Sequence, residues 1–208
     1  MSAREQYAEV CAGYEAEFAR NRELHGERIQ CRSGCDACCS QLFQITEIEA
    51  AVVSEGLRSL ESALRERIET RARAYLPERA RLVAEHGLIE GWGSLPPEGT
   101  RLACPALEDG ACQIYEHRPL ICRKFGIPLW NPDRPGRVHA CELNFREGEE
   151  IVDGQLIQIQ TALHKDWKAT QGSYNVAGGV RDPQPITVAR AILEDFSGFA
   201  ECELAGGV

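Results

Sequence analysis

Eight thiols in two blocks are the residues here whose type and spacing make chemistry possible. Cys31, Cys35, Cys38 and Cys39 fall within nine residues, in the run Cys31-Arg32-Ser33-Gly34-Cys35-Asp36-Ala37-Cys38-Cys39. Cys104, Cys112, Cys122 and Cys141 follow further down the chain. A cysteine sulfur stands close to its own backbone, so sulfurs at these spacings can converge on one point without a large fold. Gly34 lets the first loop tighten where a Cβ would crowd it. Clustered thiols of this kind ligate zinc or iron. A peroxide-reducing or disulfide-exchanging protein would use two or three of them and leave the rest without a role.

The alternatives within metal chemistry stay open at this point. Eight thiolates suffice for two four-cysteine zinc sites, two cubane clusters, or one cluster with spare ligands. Cys38 and Cys39 are adjacent, so their side chains diverge and can serve two neighbouring sites or bridge two metals. Zinc knuckles favour two Cys-x2-Cys pairs, whereas this chain has one, Cys35 to Cys38. That tilts the expectation toward an iron–sulfur centre, with zinc as the alternative cofactor. The spacing Cys31-x3-Cys35-x2-Cys38 also matches the cluster motif of radical S-adenosylmethionine enzymes. Ala37 stands where those enzymes usually carry an aromatic residue, and helices rather than a βα barrel follow. No Gly-x-Ser-x-Gly elbow and no glycine-rich phosphate loop is present. No catalytic residue is assigned.

Composition narrows the setting. The chain has 208 residues, enough to bury a core without disulfide staples, and is read as a single domain. No apolar run reaches transmembrane length, and the N-terminal residues lack the pattern of a secretory signal. The expectation is a cytoplasmic protein with no membrane association, where ten cysteines stay reduced. A net charge of −9 disfavours nucleic acid as a partner; a protein partner is compatible with it. From Arg101 to Cys141, however, six basic residues face four acidic ones, which suits a negatively charged thiolate centre.

Several elements must position the thiols. Tyr7, Val10, Cys11, Tyr14 and Phe18 form one helical stripe over residues 4–25, with Cys11 a core residue rather than a ligand. Thr46-Glu47-Ile48-Glu49 is a capping box opening a helix that stops near Gly56. Leu57, Leu60, Leu64, Ile68, Ala72 and Tyr75 line a longer second helix, whose Arg- and Glu-rich side reads as a solvated face. Pro77 is expected to end or kink it, ahead of a shorter helix with Leu82, Val83 and Ile89. Residues 91–99 are a loop rich in Gly and Pro.

Asp109-Gly110 predicts a hairpin. Strand alternation puts Cys104 and Cys112 on opposite faces if the loop has two residues, and on one face if it has three. A shared site would then require the three-residue loop. Pro119 suits the start of a helix holding Cys122 in its first turn, where Arg118, Arg123 and Lys124 favour a thiolate. Residues 131–137 read as a Pro/Gly loop. His117 and His139 read as surface or supporting residues. A helix over 153–170 aligns Leu156, Ile159, Leu163 and Trp167; residues 173–185 read as irregular. Thr187 caps a last helix with Ile192, Leu193 and Phe196. Cys202 lies in a Gly-rich tail and, like Cys11, is expected not to bind metal. The predicted fold class is mainly helical α+β, with a cysteine-rich, loop- and hairpin-containing metal-binding region packed on helices.

Cys31-x3-Cys35-x2-Cys38-Cys39, Cys104-Pro105-x-Leu107, Cys112-x-Ile114-Tyr115-x2-Arg118-Pro119-x2-Cys122-Arg123-x-Phe125 and Cys141 together resemble the YkgJ-like cysteine-cluster family. The resemblance spans residues 31–141. It implies a zinc- or iron-chelating domain, often labelled an iron–sulfur oxidoreductase, ligated by Cys31, Cys35, Cys38, Cys39, Cys104, Cys112, Cys122 and Cys141. Related cysteine domains occur in flagellin lysine methylases, so the resemblance also admits S-adenosylmethionine-linked methyl transfer. A structural zinc protein that docks a partner is the third class.

Overall fold

The computed structural model describes residues 2–32, 34–86, 100–178 and 186–197. Among them, six helices and four short strands run in the order α1 (Ala3–His25), α2 (Glu47–Arg58), α3 (Ser62–Glu85), β1 (Leu107–Glu108), β2 (Ala111–Cys112), α4 (Leu120–Lys124), β3 (Leu129–Asn131), β4 (Arg134–His139), α5 (Leu156–Gly178) and α6 (Val188–Leu193). Single 3-10 turns lie at Gly26–Arg28, Ala37–Ser40 and Tyr115–His117. The strands form two separate antiparallel pairs, β1 with β2 and β3 with β4. The fold is mainly helical α+β, as the sequence predicts. It divides into two compact units. Of the described residues, 2–35 and 120–178 build the first, and 36–119 and 186–197 build the second.

In the first unit α1 packs against α5 and α4. Ser2 and Glu5 form a reciprocal capping box at the start of α1. Tyr7, Val10, Cys11 and Tyr14 are buried as the stripe predicts. The stripe then turns polar: Glu17, Asn21 and His25 are buried, while Phe18 is half-buried. Glu17 is buried because it is ion-paired, taking two hydrogen bonds from Arg20, which also grips Asp153 at 2.5 Å. Gln160 of α5 donates to the Pro128 carbonyl and accepts from the Trp130 N–H, both at 2.7 Å, fixing the edge of β3. Residues 131–137 are thus partly strand rather than a plain loop, with an irregularity between Trp130 and Asn131. α5 begins at Leu156, three residues later than expected. Asp153 instead accepts from the Gln155 and Leu156 N–H groups ahead of it. The helix also runs past 173 to Gly178, anchored by the buried Tyr174.

In the second unit α6 packs on α2 and α3, over a core that includes Ile45, Val53, Ile68, Ile186 and Phe196. The Thr46–Glu49 capping box opens α2. α2 continues through Gly56 to Arg58 because Gly56 gives His117 room: a Cβ there would lie 2.5 Å from the His117 Cβ. Leu57 therefore belongs to α2, and α3 starts at Ser62. Thr187 accepts a hydrogen bond from the Arg190 N–H at the start of α6. α3 does not end at Pro77. Ile68, Ala72, Tyr75 and Arg79 are buried on either side of the proline, and that packing outweighs its roughly 3 kcal/mol penalty. Ile89, the loop at 91–99 and Cys202 lie outside the described residues.

Candidate metal centre

None of the nine described cysteines is in a disulfide. Each unit holds four of the eight clustered ones. The second unit's set begins with Cys38 and Cys39, side by side in the Ala37–Ser40 turn. Their diverging side chains still meet: the Cys39 thiol hydrogen-bonds Cys38, and that bond draws Cys38 down to about 7. Cys39 is pushed well above the ordinary thiol range, first by the same bond, then by burial and by the charges of Cys38, Cys104 and Cys112. The shared hydrogen bond thus favours the thiolate on Cys38 and the proton on Cys39.

A short ladder delivers Cys104 to this pair. The Cys104 N–H bonds to the Cys39 carbonyl at 2.7 Å, and the Leu102 N–H to the Ser40 carbonyl at 2.9 Å. Burial pushes the Cys104 thiol up to about 12. Cys112, also raised by burial, arrives on β2. Both pack against the hydrophobic core of the unit.

The hairpin has the two-residue loop, pairing Leu107 with Cys112, with Asp109 and Gly110 both at positive φ. The loop is thus the two-residue alternative, and Cys104 and Cys112 nonetheless lie near enough for Cys104 to feel the charge of Cys112. The alternation rule does not reach Cys104 because β1 is only Leu107–Glu108. Cys104 precedes it in a turn closed by the Leu107 N–H on the Cys104 carbonyl, and that turn re-aims the side chain.

Two arginines face this set. Arg118 stacks 3.8 Å over the Tyr115 ring and donates to the Tyr115 carbonyl, and its charge favours the thiolates of Cys38 and Cys112. Arg71 of α3 donates to the Pro105 carbonyl at 2.8 Å and to Glu108 at 2.6 Å, and favours the Cys104 thiolate. Its Nη2 is buried with no hydrogen-bond partner among the described residues. The solvated-face reading of α3 missed Arg71. The available signal was its place beside Ala72, at the border of the buried stripe.

In the first unit, Cys31 and Cys35 flank a turn in which the Cys35 N–H bonds to the Arg32 carbonyl, with Gly34 at φ 85°. Gly34 serves the turn through its positive φ and not by avoiding a crowded Cβ, since an added Cβ would meet nothing within 4 Å. The Cys31 Sγ lies against Gly126, just beyond the helix that carries Cys122: it is 3.6 Å from the carbonyl oxygen, and an added Cβ would sit 2.2 Å from it. Asn144 joins the segments. It accepts from the Gln30 N–H, donates to the Gly126 carbonyl at 2.6 Å, and its own N–H bonds to the Cys141 carbonyl. No sequence signal pointed to Asn144.

Within the same unit, Arg123 is buried against Glu15, and Lys124 sits over the Tyr14 ring. Both of these cations expected to favour a Cys122 thiolate therefore also serve α1. His117 is half-buried against Gly56, and His139 is exposed on β4. Cys11 is buried in α1 among Tyr7, Val10 and Tyr14.

Among the described residues no group of three or more His, Cys, Asp or Glu side chains is placed so that it could hold a metal ion. The donor set nonetheless fits a thiophilic metal. Cys104 and Cys112 pack on the core of the second unit, the Cys38–Cys39 hydrogen bond favours a thiolate on Cys38, and two guanidinium groups offset the charge.

A family model described as CxxCxxCC, "Putative zinc- or iron-chelating domain", matches residues 30–141, more than half of the chain. No curated protein and no solved structure matches it.

Proposed function

The chain belongs to the CxxCxxCC family, and from that membership we propose that its cysteines carry an iron–sulfur centre in a redox or cluster-related role. The observation that carries this reading is the Cys38–Cys39 pair, hydrogen-bonded to each other and sensing Cys104 and Cys112. A structural zinc knuckle is built from two Cys-x2-Cys loops. Here the donors are one adjacent pair and two single cysteines, Cys104 and Cys112, that pack on an apolar core. An enclosed, half-apolar setting with N–H donors nearby is what tunes a cluster's potential.

Cys38, Cys39, Cys104 and Cys112 would hold the group in the second unit. A bound iron–sulfur cluster supplies one-electron chemistry. The chain's own residues do the rest. Arg118 and Arg71 offset thiolate charge, the Ala37–Ser40 turn fixes the adjacent pair, and the core under Cys104 and Cys112 limits water. Among the described residues no helix is long and apolar enough to cross a membrane. Thiols outside disulfides agree with a reducing compartment such as the cytoplasm. An acidic chain would exchange electrons with a protein partner rather than act on nucleic acid.

The test is spectroscopy on anaerobically purified chain. A visible sulfur-to-iron absorption that bleaches with dithionite, and an electron paramagnetic signal in one oxidation state, are expected. A colourless, zinc-loaded chain would replace this reading with the structural zinc one.

A further inference from the structure

We propose that the eight thiols form two separate four-thiolate centres, one in each unit: Cys31, Cys35, Cys122 and Cys141 in the first, Cys38, Cys39, Cys104 and Cys112 in the second. The inference rests on metal binding itself and assigns which sulfurs share a metal. Sequence spacing suggests other divisions, because the nine-residue block looks like one ligand loop and the adjacent pair looks like a bridge.

The fold divides the block between Cys35, in the first unit, and Asp36, the first residue of the second. Cys38 and Cys39 are not shared out. They hydrogen-bond each other, and Cys39 feels Cys104 and Cys112 within its own unit. The ladder from Cys104 to Cys39 and from Leu102 to Ser40 fixes that grouping in the backbone.

The first unit groups its four by a different device, the buried side chain of Asn144. Its carboxamide takes the N–H of Gln30, next to Cys31, at 2.8 Å. It gives an N–H to the carbonyl of Gly126, four residues beyond Cys122, at 2.6 Å. Its backbone N–H closes a turn on the Cys141 carbonyl at 2.8 Å. One residue therefore holds the approaches to three ligands, and the Arg32–Cys35 turn adds the fourth. Gly126 completes the arrangement, because a Cβ there would occupy the place of the Cys31 Sγ. Asn144 and Gly126 are positioning residues for the first centre alone.

The experiment counts metal per chain, by native mass spectrometry and elemental analysis, in the full-length protein and its variants. Wild type is expected to hold two centres. Cys122→Ser, Asn144→Ala and Gly126→Ala should each lose half the metal, with hydrogen-exchange protection lost in residues 120–145 and kept in 36–58. Cys112→Ser should lose the other half, with the converse pattern. Cys122→Ser combined with Cys112→Ser should hold none. Because Asn144 and Gly126 carry no thiol, a loss of half the metal in those two variants reports grouping rather than removal of a ligand. Complete loss from either single cysteine change, or a double variant no worse than a single one, would overturn the division. So would one centre in wild type. A wild-type chain without any metal would instead contradict the metal-binding reading on which the division rests.

Discussion

At the residue scale, Cys38 differs from the thiols around it because Cys39 donates a hydrogen bond to its sulfur and Arg118 faces it. Its thiolate is present above about 7, while Cys104 holds its proton to about 12. In metal-free chain, alkylation at Cys38 should therefore accelerate as pH rises through about 7 and level off above it. Bound metal should suppress it. Peptide mapping after iodoacetamide pulses checks this; a rate rising only near the ordinary thiol value of about 8.5 would contradict it.

Arg71 and Arg67 give a paired prediction. Arg71→Leu removes a hydrogen bond to the Pro105 carbonyl and an ion pair to Glu108, and should cost about 1–3 kcal/mol in urea unfolding. Arg67→Leu removes an exposed partner of the same Glu108 and an exposed bond to the Ala63 carbonyl of its own helix, and should leave the midpoint nearly unchanged. The clustered thiols were legible in the sequence because cysteine spacing is itself the signal. Arg71 and Asn144 were not, since each acts through contacts with segments distant in the chain.

At the element scale, stripes and caps were readable where local physics decides. The Thr46–Glu49 box, the first half of α1 and the Thr187 cap follow from side chains within one or two turns. Reading failed where tertiary packing overrides a local rule. Gly56 looks like a helix stop but is a seat for His117. Pro77 looks like a break but sits exposed in a helix held by Ile68, Ala72 and Tyr75. Alternation was extended to Cys104 although β1 is two residues long. The Pro77 case is testable. Its ring fills no core space, and its missing N–H leaves a helical bond unmade. Pro77→Ala should therefore stabilise the second unit by about 1–3 kcal/mol, read as a higher urea midpoint. A fall in the midpoint would show that the proline is required by the packing.

At the scale of the whole molecule, helices with their own apolar faces carry the cores of both units, while the segment between residues 100 and 141 holds only short strands, one 3-10 turn and the short helix α4, joined by loops. Ordering such loops costs roughly 1–2 kcal/mol per residue, against on the order of 10 kcal/mol from a thiolate metal site. Stripping the metal should accordingly abolish hydrogen-exchange protection across 100–141 while α1, α3 and α5 keep theirs. Unchanged protection after complete removal would mean that side-chain packing alone orders the loops. The central claim is that the clustered cysteines hold iron with inorganic sulfide. Its most direct test is the iron, zinc and acid-labile sulfide content of the full chain, purified without oxygen and passed through a desalting column with chelator. Iron and sulfide retained in near-equal amounts, and lost from a Cys112→Ser and Cys122→Ser double variant, are predicted; a chain that retains zinc alone, or neither metal, would contradict the account.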